Sequence, residues 1–312
     1  MVRVVAGCVC GSDLWPYRGL NPAGPPRTIG HECVGVVEEV GSAVTTVGVG
    51  DFVVVPFCHS DNTCPHCQVG AHSVCEHLGF TVSGQAEYAR VTQADGSLVK
   101  VNGDPTPADL PGLLALSDVM PTGWHAAMAA RVRPGQDQTV VVVGDGAVGL
   151  CGVLAATTLG AARVIVMSRH ASRQAVARQF GATDVVAERG DDAVAAIREL
   201  TGGVGADAVL ECVGTGESMR SAIEFARPGA TVGFVGVPHG VELDAERLFR
   251  RNVGLAGGMA PVRAYLPDLL HRFEEGSLDA GAVFDLTLPL DEAAEAYRAM
   301  DERRAIKALL TP

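Results

Sequence analysis

An α/β protein of two domains is predicted, one mainly β and the other a doubly wound parallel sheet. Three observations carry this prediction. Composition shifts near Pro121, from Gly-, Pro-, Cys- and His-rich sequence with short β-type runs to longer apolar segments. From Thr139 onward, short apolar runs alternate with helical stretches, the pattern of a sheet covered on both faces. A glycine motif, Gly144-Asp145-Gly146-Ala147-Val148-Gly149, falls between one such run and the next helix.

In chain order, the apolar stretch Met1–Cys10 reads as a strand, because it lacks the basic leader and small-residue cleavage site of a signal peptide. Val34–Val40 and Phe52–Val55 read as further strands, with turn signals at Gly41-Ser42, Gly48-Val49-Gly50 and Asp95-Gly96. The second series runs Val140–Val143 (strand), Val148–Leu159 (helix), Val164–Met167 (strand) and Arg173–Phe180 (helix). Strands at Val185-Val186, Ala208–Leu210 and Thr231–Val235 extend it. The Val253–Met259 stretch reads as an exposed or a buried segment, the exposed case suiting a subunit interface. Near the end come a helix, Asp291–Met300, and a strand, Ala305–Leu310.

With 312 residues, the chain is long enough for two cores. Its 47% hydrophobic content and mean hydropathy of +0.22 suit a well-packed protein. A net charge of −12 without a dense basic run excludes a nucleic-acid or anionic-membrane partner. No stretch approaches the roughly 18–20 uninterrupted apolar residues of a membrane helix, so a cytoplasmic location is expected. Nine cysteines, crowded before residue 76, suggest metal binding ahead of a disulfide framework.

The glycine motif is weak alone, but here it follows a strand and opens a helix. Gly144 permits the tight turn, Gly146 lets backbone approach a pyrophosphate, and Gly149 allows close helix–strand packing. The helix N-terminus favours the phosphates. A dinucleotide site for NAD normally carries Asp or Glu at the end of the next strand, to accept the ribose 2′-hydroxyl. Met167-Ser168-Arg169-His170 and Arg173 offer no carboxylate there. A hydroxyl beside arginines suits a 2′-phosphate, so NADP(H) is expected over NAD(H). The alternative makes Arg169 and Arg173 ordinary solvated residues at a helix start.

Cys64, Cys67 and Cys75 stand at metal-knuckle spacing, and a tetrahedral structural zinc needs a fourth ligand. Asp61, three residues before Cys64, is preferred; Cys58 competes, with His59, His66 and His72 more distant candidates. Outside this lobe, Cys10-Gly11-Ser12-Asp13 and Gly30-His31-Glu32 cannot be joined by spacing.

Taken together, these segments, the cysteine lobe, Pro121-Thr122-Gly123 and the glycine motif resemble the zinc-containing medium-chain alcohol dehydrogenases, in the family's order across nearly the whole chain. The resemblance implies a GroES-like β-barrel domain of residues 1–118 and 263–312 and a Rossmann domain of residues 119–262. Strands preceding Val2 are also implied, so either the start is misassigned or the barrel is N-terminally truncated with exposed edges.

By the same resemblance, Cys10 and His31 match the first two catalytic zinc ligands. Asp118 stands four residues before Thr122-Gly123, where the third is usually Cys; the formaldehyde dehydrogenase-like branch shares this replacement. Oxygen in place of sulfur leaves the metal a stronger Lewis acid. Asp118 as a helix cap before Pro121 is the alternative. Glu32 matches the carboxylate beside the metal, Asp13 an acid orienting His31, and Ser12 a proton-relaying hydroxyl. Thr122 is expected against the nicotinamide. Lys307 matches a basic residue near the cofactor pyrophosphate, or else is an inert surface cation. Trp15 stands where the relay often ends in histidine, so the proton must leave through Ser12 and the ribose or water.

The implied activity is hydride transfer between NADP(H) and an alcohol, aldehyde or ketone in a homodimer or homotetramer. Two other readings are a zinc-independent quinone or enoyl reductase on the same scaffold, disfavoured by the cysteine lobe, and a non-catalytic redox- or metal-sensing relative.

Overall fold

The computed structural model describes residues 1–20 and 28–312. It divides into two units, residues 1–121 with 261–312 and residues 122–260.

In the first unit, β1 (Val2–Cys8) pairs antiparallel with β2 (Cys33–Val37), which pairs with β3 (Phe52–Val55). Alternation of apolar residues along these strands puts Val2, Val4, Cys33, Val37, Val53 and Val55 in one core with Val47, Ala89 and Leu98. β2 stops at Val37, three residues short of the expected Val40, where Glu38, Glu39 and Val40 are exposed. A two-stranded piece, β4 (Cys58–His59) with β5 (Gly79–Phe80), flanks the cysteine lobe. β6 (Tyr88–Ala89) pairs with β1, and β7 (Val99–Lys100) with β3. One-turn helices α1 (Leu14–Tyr17), α2 (Pro65–Gln68) and α3 (Ala94–Ser97) and the short α4 (Leu110–Ala115) connect them. The boundary between units falls inside α5 (Val119–Ala129).

The second unit is a six-stranded parallel sheet, formed by β8 (Thr139–Val143), β9 (Arg163–Met167), β10 (Asp184–Val186), β11 (Ala206–Glu211), β12 (Ala226–Phe234) and β13 (Gly254–Gly257). Their order is β10-β9-β8-β11-β12-β13. Helices α6 (Ala147–Thr158), α7 (Ala171–Gln179), α8 (Gly190–Leu200), α9 (Gly216–Phe225) and α10 (Ala245–Arg251) link them. Residues Val140–Val143 are buried without alternation, as a strand covered on both faces requires. The chain builds outward from β8 in one direction and then from β11 in the other. A crevice between the carboxyl ends of β8 and β11 follows from that reversal. β12 begins at Ala226, earlier than the apolar run Thr231–Val235 suggests.

The chain then returns to the first unit through α11 (Val262–Glu274), β14 (Phe284–Pro289), α12 (Ala293–Asp301) and β15 (Lys307–Thr311). β15 pairs antiparallel with β1 and parallel with β14, completing the order β14-β15-β1-β2-β3-β7. Among the described residues, no helix is long and apolar enough to cross a membrane.

Candidate metal centres and cofactor site

Register explains how residues far apart in sequence meet in the first unit. Gly7 lies opposite Cys33, so the chain just beyond β1 runs beside the chain just before β2. That brings Cys10 to His31 and Glu32. Opposite Val55 lies Cys33 again, and two residues past β3 the Phe57 amide donates to the Ser117 carbonyl at 3.1 Å, which fixes Asp118 at the same end. On the other side of β1, the Val9 amide donates to the Ala308 carbonyl at 3.1 Å, setting Lys307 beside Cys10.

One ligand atom each of Cys10, His31, Glu32 and Asp118 lies within 4.8 Å of the others. His31 Nε2 is 3.4 Å from Asp118 Oδ2 and 3.9 Å from Glu32 Oε1, and Cys10 Sγ is 4.0 Å from Asp118 Oδ2. A thiol, an imidazole and carboxylate oxygens are the donor set that zinc takes. Burial and the charge of Glu32 raise the Cys10 thiol above its usual range. Burial opposes a charge on His31, but Cys10 and Asp118 outweigh it and hold the imidazole well above its ordinary value.

Behind the cluster, Asp13 Oδ2 accepts from the Cys10 amide at 2.9 Å, and Asp13 Oδ1 is 3.6 Å from His31 Nδ1. Ser12 is exposed in the turn Gly11–Asp13, and Trp15 follows it half-buried. Two partners were not evident from the sequence. Gln85 Nε2 donates to Asp13 Oδ2 at 3.1 Å and to the Cys8 carbonyl at 3.0 Å, while Tyr297 donates its hydroxyl to Gln85 Oε1 at 3.0 Å. Neither carries a motif: Gln85 lies in the segment before β6 and Tyr297 on α12.

Lys307 is not a surface cation, which corrects one expectation. It is 1% exposed, its Nζ donating to Glu32 Oε1 at 2.7 Å and to the Val9 carbonyl at 3.3 Å. Lys307 opens β15 and is drawn in by the buried Glu32, whose charge needs a partner. Burial opposes the lysine's charge, yet Cys8 and Glu32 together raise its pKa well above the ordinary value. Glu32 Oε2 is buried and has no hydrogen-bond partner among the described residues. An orphaned carboxylate oxygen beside three ligand atoms fits a site shaped for a cation.

The second cluster is Asp61, Cys64, Cys67 and Cys75, again with ligand atoms within 4.8 Å of one another. Cys64 Sγ lies 3.5 Å from Cys67 Sγ and 3.8 Å from Cys75 Sγ, and all nine cysteines are free thiols. Asp61 is held by the amides of Cys64 and Thr63 (2.9 and 2.8 Å) and by His77 Nδ1 at 2.7 Å. The Cys64 amide, then His77, keeps its carboxyl well below the usual range. Cys58 is outside this cluster, in β4, its thiol pushed up to about 12 mainly by burial. The other candidates are engaged elsewhere: His59 with Thr81 and Thr92, His66 with the Val74 carbonyl, His72 with Asn62. His77 went unremarked in the sequence, although Cys75-Glu76-His77 places it two residues from a candidate ligand.

In the second unit, Gly144 ends β8 and Gly146 caps α6. A Cβ on Gly149 would stand 2.0 Å from the Gly144 carbonyl oxygen, so only glycine lets helix and turn close. At Gly146 a Cβ would meet nothing within 4 Å, which leaves open room at the helix N-terminus for a pyrophosphate. Thr122 is buried near the start of this unit. Val143 pairs with Met167, setting the glycine turn beside Ser168. Arg169 is exposed, and Arg173 half-buried on α7. Residues 167–173 carry no carboxylate, but one reaches the end of β9 from another segment. Asp145, inside the glycine motif, accepts from the Ser168 hydroxyl at 2.8 Å and pairs with Arg173 at 3.3 Å.

Comparisons with known proteins agree with these features. Residues 1–103 match the alcohol dehydrogenase GroES-like domain, and residues 147–275 the zinc-binding dehydrogenase family. Zinc-type alcohol dehydrogenase B of Aspergillus flavus is 33% identical over 99% of this chain and 74% of its own length. The solved alcohol dehydrogenase of Thermus sp. ATN1 superposes with a TM-score of 0.90 at 32% identity, over 99% of this chain and 91% of that one. A Sinorhizobium meliloti relative, named for a zinc-binding dehydrogenase and solved bound to NADP, gives a TM-score of 0.84 at 27% identity over 100% and 91% of the two chains. With a GroES-like domain, a Rossmann-type sheet and relatives of this similarity along its length, the chain belongs to the zinc-dependent medium-chain alcohol dehydrogenase family.

Proposed function

We propose that the protein is a zinc-dependent oxidoreductase that transfers a hydride between NADP(H) and an alcohol or the corresponding aldehyde or ketone. The observation that carries this reading is the convergence of Cys10, His31 and Asp118, with Glu32 beside them, at one end of the first unit's sheet. When bound, zinc supplies a Lewis acid for the alcohol or carbonyl oxygen, and the nicotinamide takes or gives the hydride.

Cys10, His31 and Asp118 would hold the metal, three protein ligands being the number that catalytic zinc sites use. Asp13 orients the His31 ring from the Nδ1 side, which turns Nε2 towards Asp118 and Glu32. Ser12, exposed in the turn after Cys10, moves the substrate proton to solvent. Asp61, Cys64, Cys67 and Cys75 would hold a second zinc in a structural role, four protein ligands being the number that such sites use. Gly146, at the N-terminus of α6, would receive the pyrophosphate in a turn that Gly144 and Gly149 allow to close, Thr122 would border the nicotinamide, and Ser168, Arg169 and Arg173 would face the adenosine ribose. The NADP-bound relative supports the choice of cofactor.

Cys10→Ala and Asp118→Ala are each expected to abolish turnover of a panel of alcohols and carbonyls while leaving NADPH binding, read by fluorescence, within about threefold of the parent protein. Turnover near the parent rate in both variants would overturn the assignment.

A further inference from the structure

We infer that Asp145 decides how far this site distinguishes NADP(H) from NAD(H); the inference rests on the second unit binding a nicotinamide dinucleotide as proposed above. The end of β9 lacks the acid that would accept a ribose 2′-hydroxyl. A carboxylate arrives there by another route. Because Val143 and Met167 are register partners, the residue after Gly144 reaches sideways to the residue after Met167.

Asp145 Oδ2 accepts a hydrogen bond from the Ser168 hydroxyl at 2.8 Å, and Ser168 is fully buried. Asp145 Oδ1 lies 3.3 Å from Arg173 Nη1, which also reaches the Asp145 carbonyl at 3.4 Å. Side-chain exposures of 17% and 11% for Asp145 and Arg173 make this a screened-from-water pair rather than a surface one.

Two groups that favour a 2′-phosphate are therefore already committed to an anion. Ser168 has a single hydroxyl proton and spends it on Asp145. Arg173 must turn from Asp145 to fork onto a phosphate, and the incoming dianion would then stand beside a carboxylate. A ribose hydroxyl meets no such opposition, since it donates to the Asp145 oxygens as it would to the absent acid of β9. Asp145 thus works for NAD(H), whereas Arg169, exposed at the same strand end, and Arg173 work for NADP(H). Both cofactors bind, with a margin smaller than Ser168, Arg169 and Arg173 would give alone.

The test is direct titration of NADPH and of NADH, by nucleotide fluorescence, into the zinc-loaded protein and its Asp145→Asn, Asp145→Ser and Arg173→Gln variants, each checked for its melting temperature. Asp145→Asn is nearly isosteric and keeps an oxygen for Ser168. The ratio of the NADH to the NADPH dissociation constant is expected to rise about tenfold or more in both Asp145 variants, and to fall in Arg173→Gln. A ratio unmoved in both Asp145 variants, or equal loss of both nucleotides, would overturn the inference. Tighter binding of NADH than NADPH by the parent protein would overturn the proposed cofactor preference alone, because the shift caused by Asp145 is read separately.

Discussion

Lys307 and Glu32 share a charge pair at 2.7 Å with exposures of 1% and 0%, and it lies directly behind His31. Such pairs contribute little net stability when intact, but removing one partner strands the other. Lys307→Met is therefore expected to destabilise the protein by about 3–5 kcal/mol in urea unfolding, and a loss below about 1 kcal/mol would contradict the pairing. Gln85 acts more locally. It fixes Asp13, and Asp13 fixes both the Cys10 backbone and the His31 ring. Gln85→Leu is expected to weaken zinc binding about 10–100-fold in chelator competition, the usual cost of removing an outer partner of a metal ligand. Unchanged zinc affinity would reduce Gln85 to a structural role.

Among the elements, the segment from β4 to β5 encloses the cysteine lobe and depends on His59. Its ring, 1% exposed, sits between Thr81 and Thr92, and burial lowers its pKa to about 4. The folded value lies below that of the unfolded chain, about 6.5. The unfolded chain therefore takes up the proton first, so this contribution is complete above pH 6.5 and is lost as pH falls towards 4. The loss is about 2–3 kcal/mol, and His59→Gln, which does not titrate, is expected to flatten the slope of unfolding free energy in that window. Parallel slopes for variant and parent would contradict it. The sheet of the second unit shows the same dependence of chemistry on an element. Its uninterrupted valines make β8, and β8's register with β9 sets Asp145 against Ser168.

At the level of the whole molecule, the two kinds of sheet were legible because hydrophobic period reports directly on which faces are covered. The glycine turn and the Cys64-x-x-Cys67 knuckle were legible because their chemistry needs neighbours in sequence. Cys10, His31 and Asp118 could be joined only through the family resemblance, since antiparallel register rather than spacing brings them together. Burial of Lys307 and the reach of Asp145 escaped the sequence for a related reason. Each side chain takes its role from a partner distant in sequence, Glu32 just before β2 in one case and Ser168 just after β9 in the other. Gln85 and Tyr297 gave no sequence signal at all, being single polar residues in segments without a motif.

Two metal centres of unlike composition, one with an open position and one closed, are the central claim. It is tested most directly by zinc content per chain, from elemental analysis of freshly purified protein before and after mild chelation. About two zinc ions per chain are expected, falling to about one in Cys64→Ser. A metal content near zero in a folded protein would contradict the account and favour zinc-independent reductase chemistry on the same scaffold.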